Sequence, residues 1–272
     1  MGARLELRHG LVPDADRIAT SADTVLVEVP VIGSKIRSKG TLYVLVTAPA
    51  GSSRALEATR TVAESIRRDY YYDESAGIPV CIEKAIRTAN RRLRAMRDPV
   101  GTEGTVGVAV AVVRQGELYV TAIGGADAYL VRAARLLMPE GLRIDVWRGE
   151  LVVGDAILLV ARNVTETVGT EELKNAVVTL HPQSATEHLH HLFVAAGGDG
   201  PDGIVAIEAT EPNATRTERR PVPPAGRSDA YAELPGGPLP GADAVAGAAG
   251  AVTGAVSGAG ERLSGAVAAV AD

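Results

Sequence analysis

Two long amphipathic segments follow one another with only a short turn between them, and runs of β-type sequence flank the pair on both sides. This order constrains the fold more than any single motif. From about residue 51 to 71, Leu56, Thr59, Val62, Ile66 and Tyr70 recur at helical spacing, with Arg and Glu on the opposite face. A turn over 73–79 leads to a second helix, about 79–97. Cys81, Ala85, Ala89, Leu93 and Met96 form its apolar stripe, and Lys84, Arg87, Arg91, Arg94 and Arg97 its wet side. Helices joined so closely should lie antiparallel. Before them, 24–32 and 41–47 read as strands, and after them the period changes to β at 105–114, 117–123, 128–131, 143–148 and 155–161. Ser184 and Glu187 fit a capping box for a helix over 185–196, and 203–208 reads as a closing strand. Paired helices among runs of strands, with few βαβ units, predict an antiparallel α/β (α+β) sandwich rather than a doubly wound sheet.

Residues 1–210 hold this pattern. Residues 211–241 are rich in Pro, Gly, Arg and Ser and read as a linker. Residues 242–272 form a low-complexity tail of Ala, Gly and Val. Val245, Val252, Val256, Leu263 and Val267 share one helical face there, and Gly250, Gly254 and Gly258 a second. Six glycines, at roughly 1 kcal/mol each relative to Ala, oppose a stable isolated helix. The net charge of −5 gives no global pull toward nucleic acid. The single Cys81 excludes an internal disulfide framework and fits a reducing cytoplasm. No signal peptide is read at the N-terminus, and no run is rich enough in large apolar residues for an ordinary transmembrane helix.

Five segments, taken in order, resemble the metal-dependent PPM-type (type-2C) protein serine/threonine phosphatases. Residues 85–93 read Ala-Ile-Arg-Thr-Ala-Asn-Arg-Arg-Leu, similar to that family's Ala-x-x-x-Ala-Asn-x-x-Leu helix. Residues 101–105 look like its Gly-Thr-Thr segment, and 123–132 resemble its Gly-Asp-Ser-Arg-x-Tyr-Leu-x-Arg strand. Residues 151–163 follow its Gly-Asp-x-Leu-Leu-Leu-x-Ser-Asp-Gly, and 199–207 its terminal Asp-Asn segment. The resemblance covers roughly residues 1–209 and implies the family's β-sandwich of two antiparallel sheets flanked by helices.

Its functional residues transfer poorly. The metal-bridging Asp falls on Ala48, and the Gly whose carbonyl faces the metal falls on Pro49. The Asp of Ser-Asp-Gly falls on Arg162 and its Gly on Asn163. The N-terminal acidic pair falls on Ala22 and Asp23, and the closing Asp-Asn on Asp202 and Gly203. The Asp of Gly-Asp-Ser-Arg falls on Gly125, and its Arg on Asp127. Asp23 and Asp202 are thus remnant carboxylates, while Ala48, Pro49 and Arg162 are lost ligand positions. A pair of hard divalent cations needs several oxygen donors, and a guanidinium repels them. A degenerate, pseudophosphatase reading follows: no catalytic residues, no cofactor expected, and a signalling role through a protein partner such as a phosphoprotein or a kinase. Arg162 between Asp23 and Asp202 is the expected structural substitute for the lost cations.

Two rival readings stand beside it. An active bacterial phosphatase could use relocated ligands such as Glu103, Asp127 and Asp199 with Mg or Mn. Alternatively, the tail could carry the activity, through self-association or peripheral membrane contact. His188 and His191, three apart on one helix, lack the companion ligands of a metal site. Asp155 reads as a turn-former, and Gly124-Gly125 lacks the following helix of a nucleotide loop.

Overall fold

A computed structural model of the chain describes residues 5–13, 22–29, 39–49, 54–73, 75–96, 105–137 and 144–212. The tail, and the linker beyond Pro212, lie outside the described residues, as does Glu103. Ten strands are described: β1 (Glu6–Val12), β2 (Thr24–Glu28), β3 (Thr41–Thr47), β4 (Gly107–Arg114), β5 (Glu117–Ile123), β6 (Ala126–Arg132), β7 (Arg135–Leu137), β8 (Trp147–Glu150), β9 (Ala156–Ala161) and β10 (Ile204–Thr210). Five helices accompany them: α1 (Ala55–Tyr72), α2 (Ile78–Ala95), α3 (Arg162–Val168), α4 (Thr170–Thr179) and α5 (Pro182–Ala195).

The strands form two antiparallel five-stranded sheets, ordered β1-β10-β9-β6-β7 and β2-β3-β4-β5-β8. Period-two alternation sorts their side chains into layers. Tyr43, Leu45, Ala109, Leu118, Leu159, Val205 and Ile207 fill the space between the sheets. Leu42, Val44, Val46, Val110 and Val112 face the other way, onto Val62, Ile66, Ile82 and Ile86 of the α1–α2 pair. Leu158, Val160, Ile204 and Ala206 meet Leu173, Leu189 and Phe193 of α4 and α5. Four layers result, α-β-β-α. The central strands bury both faces, which explains why β3, β4 and β9 read as nearly continuous apolar runs.

Several expectations are corrected. Leu56 lies off the buried stripe of α1, 39% exposed. The strand expected at 143–148 lies at Trp147–Glu150, paired with β5. No capping box forms at Ser184; α5 starts three residues earlier than expected, at Pro182, with His181 as its N-cap. Four elements escaped the sequence reading altogether: β1, the three-residue β7, α3 and α4. The edge strand β1, Glu-Leu-Arg-His-Gly-Leu-Val, keeps no clean alternation and is recognisable only through its pairing with β10. The short helices α3 and α4 are separated by Gly169 at φ 89°. Gly10 lets α5 sit against β1, since a Cβ there would lie 2.3 Å from the Pro182 carbonyl oxygen.

Candidate functional site

The site forms where strand ends converge: β3 runs out at Thr47-Ala48, β9 at Ala161-Arg162, and β10 begins after Asp202-Gly203. Its centre is Asp23, 2% exposed, just before β2. Oδ1 accepts the Ala48 N–H at 3.2 Å. Oδ2 accepts two more backbone donors, Asp202 N–H at 2.9 Å and Gly203 N–H at 2.7 Å. One carboxylate thus ties β2, β3 and β10 together. Burial pushes its pKa from 3.8 up to about 7; the neighbouring Asp202 charge adds to that, while the N–H groups of Gly203, Ala48 and Asp202 pull it back.

Gly203 makes this clip possible. A Cβ there would lie 2.5 Å from Leu45 Cδ1 and 3.0 Å from Asp23 Oδ2. An Asn, the residue the phosphatase pattern carries at this point, would push Asp23 off the backbone.

Arg162 does not bridge the remnant carboxylates. Its Nε and Nη2 donate to Asp127 Oδ1 at 3.2 and 3.0 Å. The register of β6 and β9 dictates this, since Asp127 lies opposite Val160, two residues before Arg162. Asp127 is buried, and Arg162 is half exposed. The signal was visible in the sequence as a reciprocal swap: the family pattern has Arg where Asp127 stands and Asp where Arg162 stands. Asp202 meets His190 instead, with Nδ1 3.4 Å from Oδ2 and without hydrogen-bond geometry. His190, missed in the sequence reading, rides on α5, where His188 and His191 point outward. Nearby, Thr47 Oγ1 donates to the Gly125 carbonyl at 3.3 Å, and the Arg162 N–H donates to that same carbonyl. Pro49 is half-buried beside Ala48. The exposed Asp199 offers its carbonyl to the Asn163 amide.

At the opposite end of β9, Asp155 (1% exposed) accepts Arg132 Nε at 2.9 Å, Arg132 Nη2 at 2.7 Å and the Val152 N–H at 2.8 Å. It pins a turn, as its Gly-Asp context suggests. Gly124-Gly125 leads directly into β6.

Solved structures identify the architecture. The catalytic domain of the serine/threonine phosphatase PstP in complex with two manganese ions superposes with a TM-score of 0.58 at 15% identity, over 76% of this chain and 100% of that one. PppA, a regulatory component of the type VI secretion system in Pseudomonas aeruginosa, gives 0.56 at 12% identity, over 76% and 99%. The PPM Ser-Thr phosphatase MsPP from Mycobacterium smegmatis, in complex with cacodylate, gives 0.55 at 15%, over 76% and 98%. No family model and no curated protein matches the sequence. The chain has the fold of the PPM-type serine/threonine phosphatases.

This corrects the expectation of no cofactor: a protein of this fold holds two manganese ions, so the fold points to a divalent metal pair. The described residues do not fit such a pair. Both lone pairs of Asp23 Oδ2 are engaged by N–H donors, Ala48 has no side-chain oxygen, and Asp127 is held by Arg162. Among the described residues, no group of three or more His, Cys, Asp and Glu side chains is placed to hold a metal ion. No described helix is long and apolar enough to cross a membrane.

Proposed function

We propose that this chain is a PPM-fold domain that acts by binding a protein partner, a pseudophosphatase, rather than by hydrolysing phosphate esters. One observation carries the reading: Asp23 spends its carboxylate on three backbone N–H groups that lock the strand ends together. A group so engaged holds the scaffold, and metal-activated hydrolysis needs such oxygens turned toward a cation and its water. Retaining the sandwich while redirecting its acidic residues preserves a shaped surface for a phosphoprotein or a kinase. The competing reading, a working phosphatase, draws its support from the fold it shares with manganese-bound PstP, and function is decided by the site rather than the fold.

The test is turnover of p-nitrophenyl phosphate and of phosphoserine peptides by the full chain, with Mg²⁺ or Mn²⁺ added. The expected rate equals the buffer blank. Metal-dependent turnover that disappears in Asp202→Ala would overturn the proposal and establish the enzyme.

A further inference from the structure

The outer face of α2 carries charge of the wrong sign for this protein. The chain has a net charge of −5, yet α2 holds Lys84, Arg87, Arg91, Arg92 and Arg94 against a single acid, Glu83. Arg92 turns inward to Ser65 Oγ at 2.7 Å and Asp69. Lys84 and Arg87 have local partners in Asp73 and Glu83. Arg91 touches only the Thr88 hydroxyl, and neither Arg91 nor Arg94 has a carboxylate partner among the described residues. A trough lined by Val80, Glu83, Lys84, Arg87, Asn90 and Arg91, three cations to one acid, runs along this face.

Asn90 also lines a second space. Between α1, α2 and the near ends of β4 and β5 lies a partly open slot of about 190 Å³, walled by Ile66, Ile86, Leu93, Val106, Ile123 and Ile144, with Asn90 and Thr105 as its polar residues. A space of this size takes a leucine- or phenyl-sized group, since apolar cavities of about 150 Å³ hold benzene. A basic track therefore leads at Asn90 into an apolar hole.

We propose that this face docks an acidic peptide segment of a partner protein, with carboxylates along Arg87, Arg91 and Arg94 and one bulky apolar side chain in the slot. The inference rests on the binding role proposed above and names the chemistry of the partner. Charge complementarity steers the encounter and sets its salt dependence, while the buried apolar anchor supplies affinity. Nucleic acid fits less well, because no aromatic side chain lines the trough for base stacking. An anionic membrane fits less well too, because a single narrow slot takes one side chain, whereas a bilayer calls for a broad apolar face.

The experiment is fluorescence anisotropy on the full chain, with a labelled glutamate-rich peptide carrying one central leucine, at low salt. The proposal expects saturable binding. It expects a loss of about tenfold or more when the leucine is replaced by alanine. A comparable loss is expected in Arg91→Glu/Arg94→Glu and in Asn90→Trp, which caps the slot. All three positions are exposed, so unchanged circular dichroism and melting are expected, and the peptide variant tests the idea without touching the protein. No binding by the wild type, equal binding of the leucine and alanine peptides, or equal competition by phosphatidylserine vesicles or a single-stranded oligonucleotide overturns it. Metal-dependent turnover removes the pseudophosphatase reading but leaves a confirmed groove in place. Failed peptide binding with no turnover removes the groove alone.

Discussion

The two ends of the β6–β9 pair carry the same chemistry with opposite outcomes. At one end the aspartate belongs to β9: Asp155 receives Arg132 on both carboxylate oxygens and the Val152 N–H besides. At the other end it belongs to β6: Asp127 receives Arg162 on a single oxygen. The guanidinium is about half exposed in both pairs. The first end is closed, with a forked pair pinning a turn. The second abuts the strand-end cluster, where Asp23 accepts the backbone N–H groups of Ala48, Asp202 and Gly203. Equal burial therefore does not mean equal electrostatics. Asp155 is compensated by a guanidinium, whereas the Asp23 carboxyl is pushed up to about 7, chiefly by loss of water.

The largest expected effect at the open end is on pH dependence. Asp23 holds its proton in the folded state up to about pH 7 and in the unfolded chain only to about 3.8. Its contribution therefore favours folding at acid pH and is lost as pH rises from about 4 to about 7, some 4 kcal/mol across that window at about 1.4 kcal/mol per pH unit. Urea unfolding of wild type and Asp23→Asn at several pH values should differ by that slope; parallel curves would break the contrast with Asp155. At the closed end, Asp155→Ala strands Arg132 and the Val152 N–H, and should cost about 3 kcal/mol in the same assay. Gly203→Ala should cost about 2 kcal/mol by crowding Leu45 and Asp23, and a neutral result would mean that Asp23 does not sit tightly on the backbone. The smallest effect belongs to the half-exposed pair: a double-mutant cycle of Arg162→Met with Asp127→Asn should give a coupling of about 1 kcal/mol or less. A coupling larger than that of Arg132 with Asp155 would invert the comparison.

Much of the fold was legible where a strand or helix carries its own periodicity. The α1 and α2 stripes, β3 to β6 and β9 emerge from local pattern because burial selects apolar residues at fixed spacing. Edge and connecting elements emerge less well: β1, β7, α3 and α4 escape the local pattern, and β8 is displaced from its expected position. β1 offers one face to the core and charges to the solvent, and β8 is a short edge strand whose Trp147 is part-exposed. In the site, the family resemblance brought Asp23, Ala48 and Asp202 to notice as separate residues, but not as one cluster. Asp127 and Arg162 stand in the sequence as two opposite departures from the pattern it resembles; only the pairing of β6 with β9 makes them partners.

The sequence by itself determined the sandwich class, the adjacent helical pair and the turn at Asp155, because each follows from residues near one another in the chain. Tertiary structure alone decided that Asp23 closes on Asp202 and Gly203, roughly 180 residues away, and that Arg162 turns to Asp127 instead. Local propensity carries no information about which distant backbone N–H will face a buried carboxylate. That is set by strand register and by the absence of a side chain at Gly203.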